Sequence, residues 1–216
     1  MQCEQSYPVP RSPEETRHLF DRWASTYDED LRQPSGPLDG YVQSLDVAVT
    51  LLPLAPNAAV LDIGIGTGAF AAMLATRGAR IWGLDPSPEM LARCRALHPA
   101  FSLAVGSFSD IPHPDEWFDA TAASFAFHEV PPGNRPAACA EVVRTLKPGG
   151  ILCLLDIMFA SSAAAAEART RLGRYWDDQE EYPLVGDLDA LLRDAGLRYT
   201  RWQQTAPCHW VVLARR

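Results

Sequence analysis

The chain of 216 residues carries 19 basic and 27 acidic side chains, a net charge of −8 with histidine neutral, and 47% hydrophobic residues, enough for the full core of one domain. No run of Lys or Arg can neutralise a row of phosphates, which argues against nucleic acid as a partner. The most apolar stretch, 151–160, is about half the ~20 residues of a membrane span and is interrupted by Asp156, and no charged-then-apolar leader opens the chain. Five scattered cysteines (Cys3, Cys94, Cys139, Cys153 and Cys208), an odd number without a C-x-x-C pair, point to a reducing cytoplasm with neither a disulfide framework nor a zinc site.

In chain order, the first fifty residues hold no strand signal and read as two helices, 14–27 and 40–52, separated by a loop containing Pro34, Gly36 and Pro37. From residue 58 to 157 strands and helices alternate, the pattern of a parallel sheet wrapped by helices. A buried strand over 58–63 leads through glycines into an Ala/Leu/Met-rich helix over 68–77 that stops at Gly78. A strand over 80–84 is followed by a helix over 87–97 with Ser87 as its cap and Pro88 in its first turn. Strands over 101–105 and 118–125, a helix over 135–146, a turn at 147–150 and a strand over 151–156 complete the alternating part. Beyond it come an Ala-rich helix over 160–176, an acidic loop over 177–181 read as solvated, an amphipathic helix over 187–195 and two strands over 197–205 and 208–214, an antiparallel pair at the sheet edge.

Chemistry concentrates at the end of the first strand. Gly64, Gly66 and Gly68 let the backbone turn sharply and approach a ligand closely. The third glycine comes one position early for the dinucleotide fingerprint, and Asp62 precedes the first glycine by two, where a carboxylate repels a pyrophosphate and attracts a cation. S-adenosylmethionine, with an ammonium and a sulfonium and no phosphate, suits that charge. Asp85 ends the second strand, where a carboxylate can accept both ribose hydroxyl protons or cap the following helix.

Residues 60–156 resemble the class I S-adenosylmethionine-dependent methyltransferases through D-I-G-I-G-T-G at 62–68, G-L-D-P-S-P-E-M-L at 83–91 and L-K-P-G-G-I-L at 146–152. F-D-R-W-A-S-T-Y-D at 20–28 and S-F-A-F-H-E-V at 124–130 resemble small uncharacterised bacterial methyltransferases of that superfamily. The resemblance implies that Asp62, Gly64 and Gly66 hold the methionine part of the cofactor, that Asp85 holds the ribose, and that Pro86 and Met90 lie beside the adenine. Ser107, next to Phe108, stands where many relatives place an Asp for the adenine amino group. Ser124 begins the stretch that passes beneath the sulfonium and faces the acceptor.

Methyl transfer from a sulfonium needs chiefly alignment and exclusion of water, with a base only for a protonated acceptor. His128 is the best-placed base, followed by Glu129; a structural histidine is the alternative. Trp23 and Tyr27, four apart on the first helix, suit a lid over the cofactor or ordinary packing. Tyr175, Trp176 and Tyr182, with Phe127, could line an apolar or cation-binding acceptor pocket, or simply pack a helix. No metal site is expected, because no His pair or His-plus-carboxylate spacing stands out.

The expected architecture is a single Rossmann-like α/β domain with a mostly parallel seven-stranded sheet, antiparallel at one edge. It comprises a helical lid over 1–55, a cofactor-binding core over 56–158 and a substrate-side insertion with C-terminal strands over 159–216. The expected activity is methyl transfer to a small-molecule acceptor, releasing S-adenosylhomocysteine. A non-catalytic or non-methylating S-adenosylmethionine-binding protein and a nicotinamide oxidoreductase are the competing readings.

Overall fold

A computed structural model describes residues 10–32 and 35–216; Cys3 and Pro34 lie outside that range. The sheet is built from β1 (Ala59–Ile63), β2 (Arg80–Asp85), β3 (Ser102–Val105), β4 (Phe118–Ser124), β5 (Leu146–Ile157), β6 (Arg198–Ala206) and β7 (His209–Arg215). Their order is β3-β2-β1-β4-β5-β7-β6, with the first five parallel and β7 antiparallel to both β5 and β6. This is the seven-stranded, Rossmann-like arrangement expected, with its antiparallel pair at the edge. Chain order reverses between β1 and β4, and at such a switch point the strand ends diverge and leave a crevice.

Alternation along the strands divides the core between two faces. Val60 joins Leu45, Leu52, Leu74 and Leu91 on one side, while Leu61 and Ile63 join Ala138, Val142, Leu188 and Leu192 on the other. The first group comes from α3 (Tyr41–Leu51), the residue after it, α4 (Ala69–Thr76) and α5 (Pro88–Leu97); the second comes from α6 (Arg135–Thr145) and α8 (Val185–Asp194). Ser87 caps α5 by accepting from the Met90 N–H at 3.1 Å, with Pro88 at the first position. α7 (Ser162–Leu172) runs into a short turn of 3-10 helix at Gly173–Tyr175.

Two elements depart from the sequence reading. The first helix does not reach residue 27: α1 (Pro13–Trp23) stops, and a separate turn, α2 (Tyr27–Asp30), follows. Asp30 accepts from the Trp23 indole at 2.6 Å and from the Thr26 hydroxyl at 2.9 Å, and these bonds hold the break. Residues 147–150 are not a turn before β5 but an irregularity inside it. Leu146 pairs with Phe118 and Ile151 with Ala120, and Gly149 adopts φ +78°. The extra chain keeps its hydrogen bonds through Arg216, whose carbonyl accepts from Gly149 and whose N–H donates to Gly150, so Pro148 is tolerated at a bulge. Among the described residues, no helix is long and apolar enough to cross a membrane.

Candidate active site

The glycine turn is clamped before it binds anything. The Gly64 and Ile65 N–H groups both donate to the Leu84 carbonyl, at 2.8 and 2.9 Å, fixing the turn to the end of β2. Gly64 has φ +72°, and a Cβ there would stand 2.3 Å from the Ala126 Cβ; Gly66 has φ +55° with nothing within 4 Å of the space a Cβ would take. One glycine therefore permits close approach of two loops and the other leaves a cradle. Gly68 serves packing, since a Cβ there would meet His98 and Cys94 at 2.7 and 2.9 Å.

Beside the turn lies a cavity of about 340 Å³ at the C-terminal ends of β1, β2 and β4. Of the residues expected at the site, Tyr27, Gly64, Gly66, Asp85, Pro86, Met90, Ser107, Phe108 and Ser124 line it. Thr16, Phe20, Phe125 and Glu129 line it as well. Asp85 accepts from the Gly66 N–H at 2.9 Å and from the Ser87 N–H at 2.8 Å, one bond to each oxygen, leaving a lone pair on each for a ligand. Burial pushes its carboxyl up to about 6. Asp62 does not reach the cavity wall. It is 1% exposed beneath the turn, its Oδ1 has no hydrogen-bond partner, and burial followed by repulsion from Asp85 pushes its carboxyl well up.

α1 and α2 close over this floor. The Ser87 hydroxyl donates to Asp21 at 2.6 Å and the Thr67 hydroxyl to Asp28 at 2.6 Å, with Arg93 at 3.3 Å from the other oxygen of Asp28. Trp23 is not in the cavity wall; its ring meets Tyr27 edge-on at 4.8 Å, across the break between the two helices.

The region expected to face the acceptor is assembled differently from the sequence reading. His128 is 6% exposed and is not part of the cavity wall. Its backbone N–H and Nδ1 both meet the Asp156 carboxylate, at 2.9 and 2.5 Å. Burial alone would lower its affinity for a proton, yet Asp156, and then Glu180 and Glu129, raise the ring to about 10. A ring already charged at neutral pH is not a free base. Phe127 is buried against Phe108 at 5.1 Å. Trp176 and Tyr182 pack on Phe159 and on each other behind the cavity, with Tyr182 5.8 Å from the His128 ring, while Tyr175 is 47% exposed outside.

The acidic loop is not merely solvated. Arg11 reaches across to bond Asp177 at 2.7 Å and Glu180 at 2.8 Å, with Glu129 at 3.8 Å. His128 Nε2 and one oxygen each of Glu129 and Glu180 lie within 4.8 Å of one another, a His-plus-carboxylate grouping invisible to local spacing because Glu180 is distant in sequence. Arg11, Thr16 and Asp156 carry no motif that would have placed them here.

A cationic nucleoside fits this floor. A buried carboxyl with one unpartnered oxygen below, a second carboxylate with free lone pairs at the wall, and an open cradle at Gly66 together favour hydrogen-bond donors and positive charge and disfavour a diphosphate. Comparison with known proteins agrees. Residues 60–150 match the family described as a methyltransferase domain. An uncharacterized methyltransferase of Staphylococcus carnosus is 31% identical over 174 residues, covering 81% of this chain and 81% of that protein. Among solved structures, a Thermotoga maritima protein described as a possible histamine N-methyltransferase superposes with a TM-score of 0.70 at 20% identity, covering 92% of this chain and 98% of its own. The cyclase SpnF does so at 0.76 and 18% identity, covering 97% and 98%. These two establish fold; the sequence relationship establishes family. The chain belongs to the class I S-adenosylmethionine-dependent methyltransferases.

Proposed function

We propose that the methyl acceptor is a small molecule that shares the covered cavity with the cofactor. The observation that carries this reading is the lid: Asp21 and Asp28 tie α1 and α2 to the cofactor floor, so the space left is a cavity of about 340 Å³ whose lining, among the described residues, holds no Lys or Arg. That volume is within the ~300–1,000 Å³ of small-ligand sites.

Gly64 and Gly66 make room for the methionine part, and Asp85 accepts from the ribose hydroxyls. Pro86, Met90 and Phe108 hold the adenine faces, with Ser107 at its edge. Asp62 lies beneath the turn and offers its unpartnered Oδ1 as an acceptor to the methionine end of the cofactor. Phe20 and Tyr27 exclude water, and Trp23 braces Tyr27. When bound, S-adenosylmethionine supplies an activated methyl group on a good leaving group, so alignment of the acceptor by the Ser124 to Glu129 segment is the main remaining task. His128 serves as a positioning residue: charged and pinned by Asp156, it fixes the backbone that presents Glu129. Trp176, Tyr182 and Phe127 support that segment from behind.

Incubation with methyl-labelled cofactor and a metabolite extract, followed by mass spectrometry, tests this reading. S-adenosylhomocysteine should appear together with a labelled compound of low mass. Label confined to RNA, DNA or protein overturns the small-molecule assignment, and cofactor binding without S-adenosylhomocysteine indicates a non-methylating use.

A further inference from the structure

Glu129 differs from the other carboxylates at the acceptor end. Asp156 is committed to His128, and Asp177 and Glu180 share the guanidinium of Arg11. Glu129 lines the cavity with its side chain 14% exposed, and only its Oε2 receives a hydrogen bond, from the Thr16 hydroxyl at 3.3 Å. Its Oε1 has His128 Nε2 at 3.7 Å and Arg11 at 3.8 Å, both beyond hydrogen-bond reach, and no nearer donor among the described residues.

The charge around it is unbalanced. The carboxylates of Asp156, Glu129, Asp177 and Glu180 face the cations His128 and Arg11, and Asp156 is also near the buried Arg135, which leaves one negative charge in excess in a setting where burial already pushes the Glu129 carboxyl up. A neutral acceptor leaves that excess untouched and an anionic one worsens it, whereas a cation relieves it. Phe20 and Tyr27 also line the cavity and offer aromatic surface suited to an organic cation.

We propose that Glu129 selects the acceptor, and that the acceptor is an amine whose ammonium sits against Glu129 Oε1. This rests on the small-molecule methyltransferase reading above. The ammonium gives one proton to the Glu129 carboxylate, and the nitrogen lone pair then forms the C–N bond as the C–S bond breaks with its pair left on sulfur. The methylated nitrogen keeps one positive charge, and the proton passes from Glu129 to water.

The test uses the whole chain saturated with S-adenosylhomocysteine, with that loading followed by calorimetry so that loss of the cofactor site is recognised separately. The loaded protein is titrated with phenethylamine and 1,4-diaminobutane, and with 2-phenylethanol and phenylacetate as neutral and anionic counterparts. At least one amine should bind ten times more tightly than the alcohol or the acid. E129Q should lose that preference while still taking up S-adenosylhomocysteine, and E129D should restore part of it. Binding of neither amine, equal binding of the alcohol or the acid, or an unchanged preference in E129Q overturns the proposal. So does amine binding that requires added zinc or magnesium, because the carboxylates would then hold a metal.

Discussion

The two ends of the cavity are built by different means. The cofactor floor comes from short contiguous runs: three glycines within five residues after β1, and Asp85 with its following Ser87 at the end of β2. The acceptor end joins Arg11, Glu129, Asp156 and Glu180, which are separated by tens of residues and meet only when the lid and the segment after β5 fold over the sheet. In this chain the floor is local in sequence and the opposite end is tertiary. The likeness to both a described methyltransferase and a cyclase is one of fold, and fold leaves the acceptor chemistry open.

The sharpest way to break the comparison is at the floor. Gly64→Ala places a Cβ 2.3 Å from Ala126 at a left-handed backbone position, and should cost about 2–5 kcal/mol of stability. The displaced turn should also weaken cofactor binding by more than ~100-fold, measured by calorimetry on whatever fraction stays folded. Gly66→Ala, with open space, should harm the fold far less and the cofactor affinity nearly as much.

At the acceptor end, Asp156→Asn leaves a buried imidazolium without its counter-ion and should destabilise the protein by about 3 kcal/mol. The wild-type pair has a raised histidine, so its contribution is complete below the unfolded histidine value of about 6.5 and is lost as pH rises through about 10. Thermal melts from pH 6 to 11 should show that loss in the wild type and a flatter profile in Asp156→Asn.

A smaller effect is expected when one of the lid's ties is cut. Asp28→Ala removes the Thr67 and Arg93 contacts and should cost about 1 kcal/mol. Cofactor release, followed by stopped flow, should quicken severalfold while the acceptor-end residues keep their arrangement.

How much could be read in advance follows the same division. The alternation of strand and helix patterns was enough to read a mostly parallel sheet with an antiparallel edge, and the Ser87-Pro88 start of α5 was legible because a cap is a local interaction. The break after Trp23 was not, because helical periodicity continues through a segment that Asp30 holds open with side-chain bonds. His128 was read as the best-placed base or a structural histidine, but its partner Asp156 lies in another strand, and that partner makes it a buried cation. The acidic run was misread for the same reason: Arg11, which neutralises part of it, comes from the opposite end of the chain.

The central electrostatic claim is that the buried Asp85 carboxylate, at the cavity wall and bonded to the glycine turn, attracts a cationic cofactor. Its most direct test is the affinity for S-adenosylmethionine, measured by calorimetry from pH 5 to 8 in the wild type and in Asp85→Asn. Burial lifts Asp85 to about 6, so its charge is present above that value. Acidification through pH 6 should therefore weaken cofactor binding in the wild type, while the cofactor-free protein, relieved of a buried charge, should gain stability over the same interval. Asp85→Asn should bind about tenfold more weakly at pH 8 and show little change with pH. Wild-type affinity that is flat across pH 6, or an equal pH response in Asp85→Asn, contradicts the account.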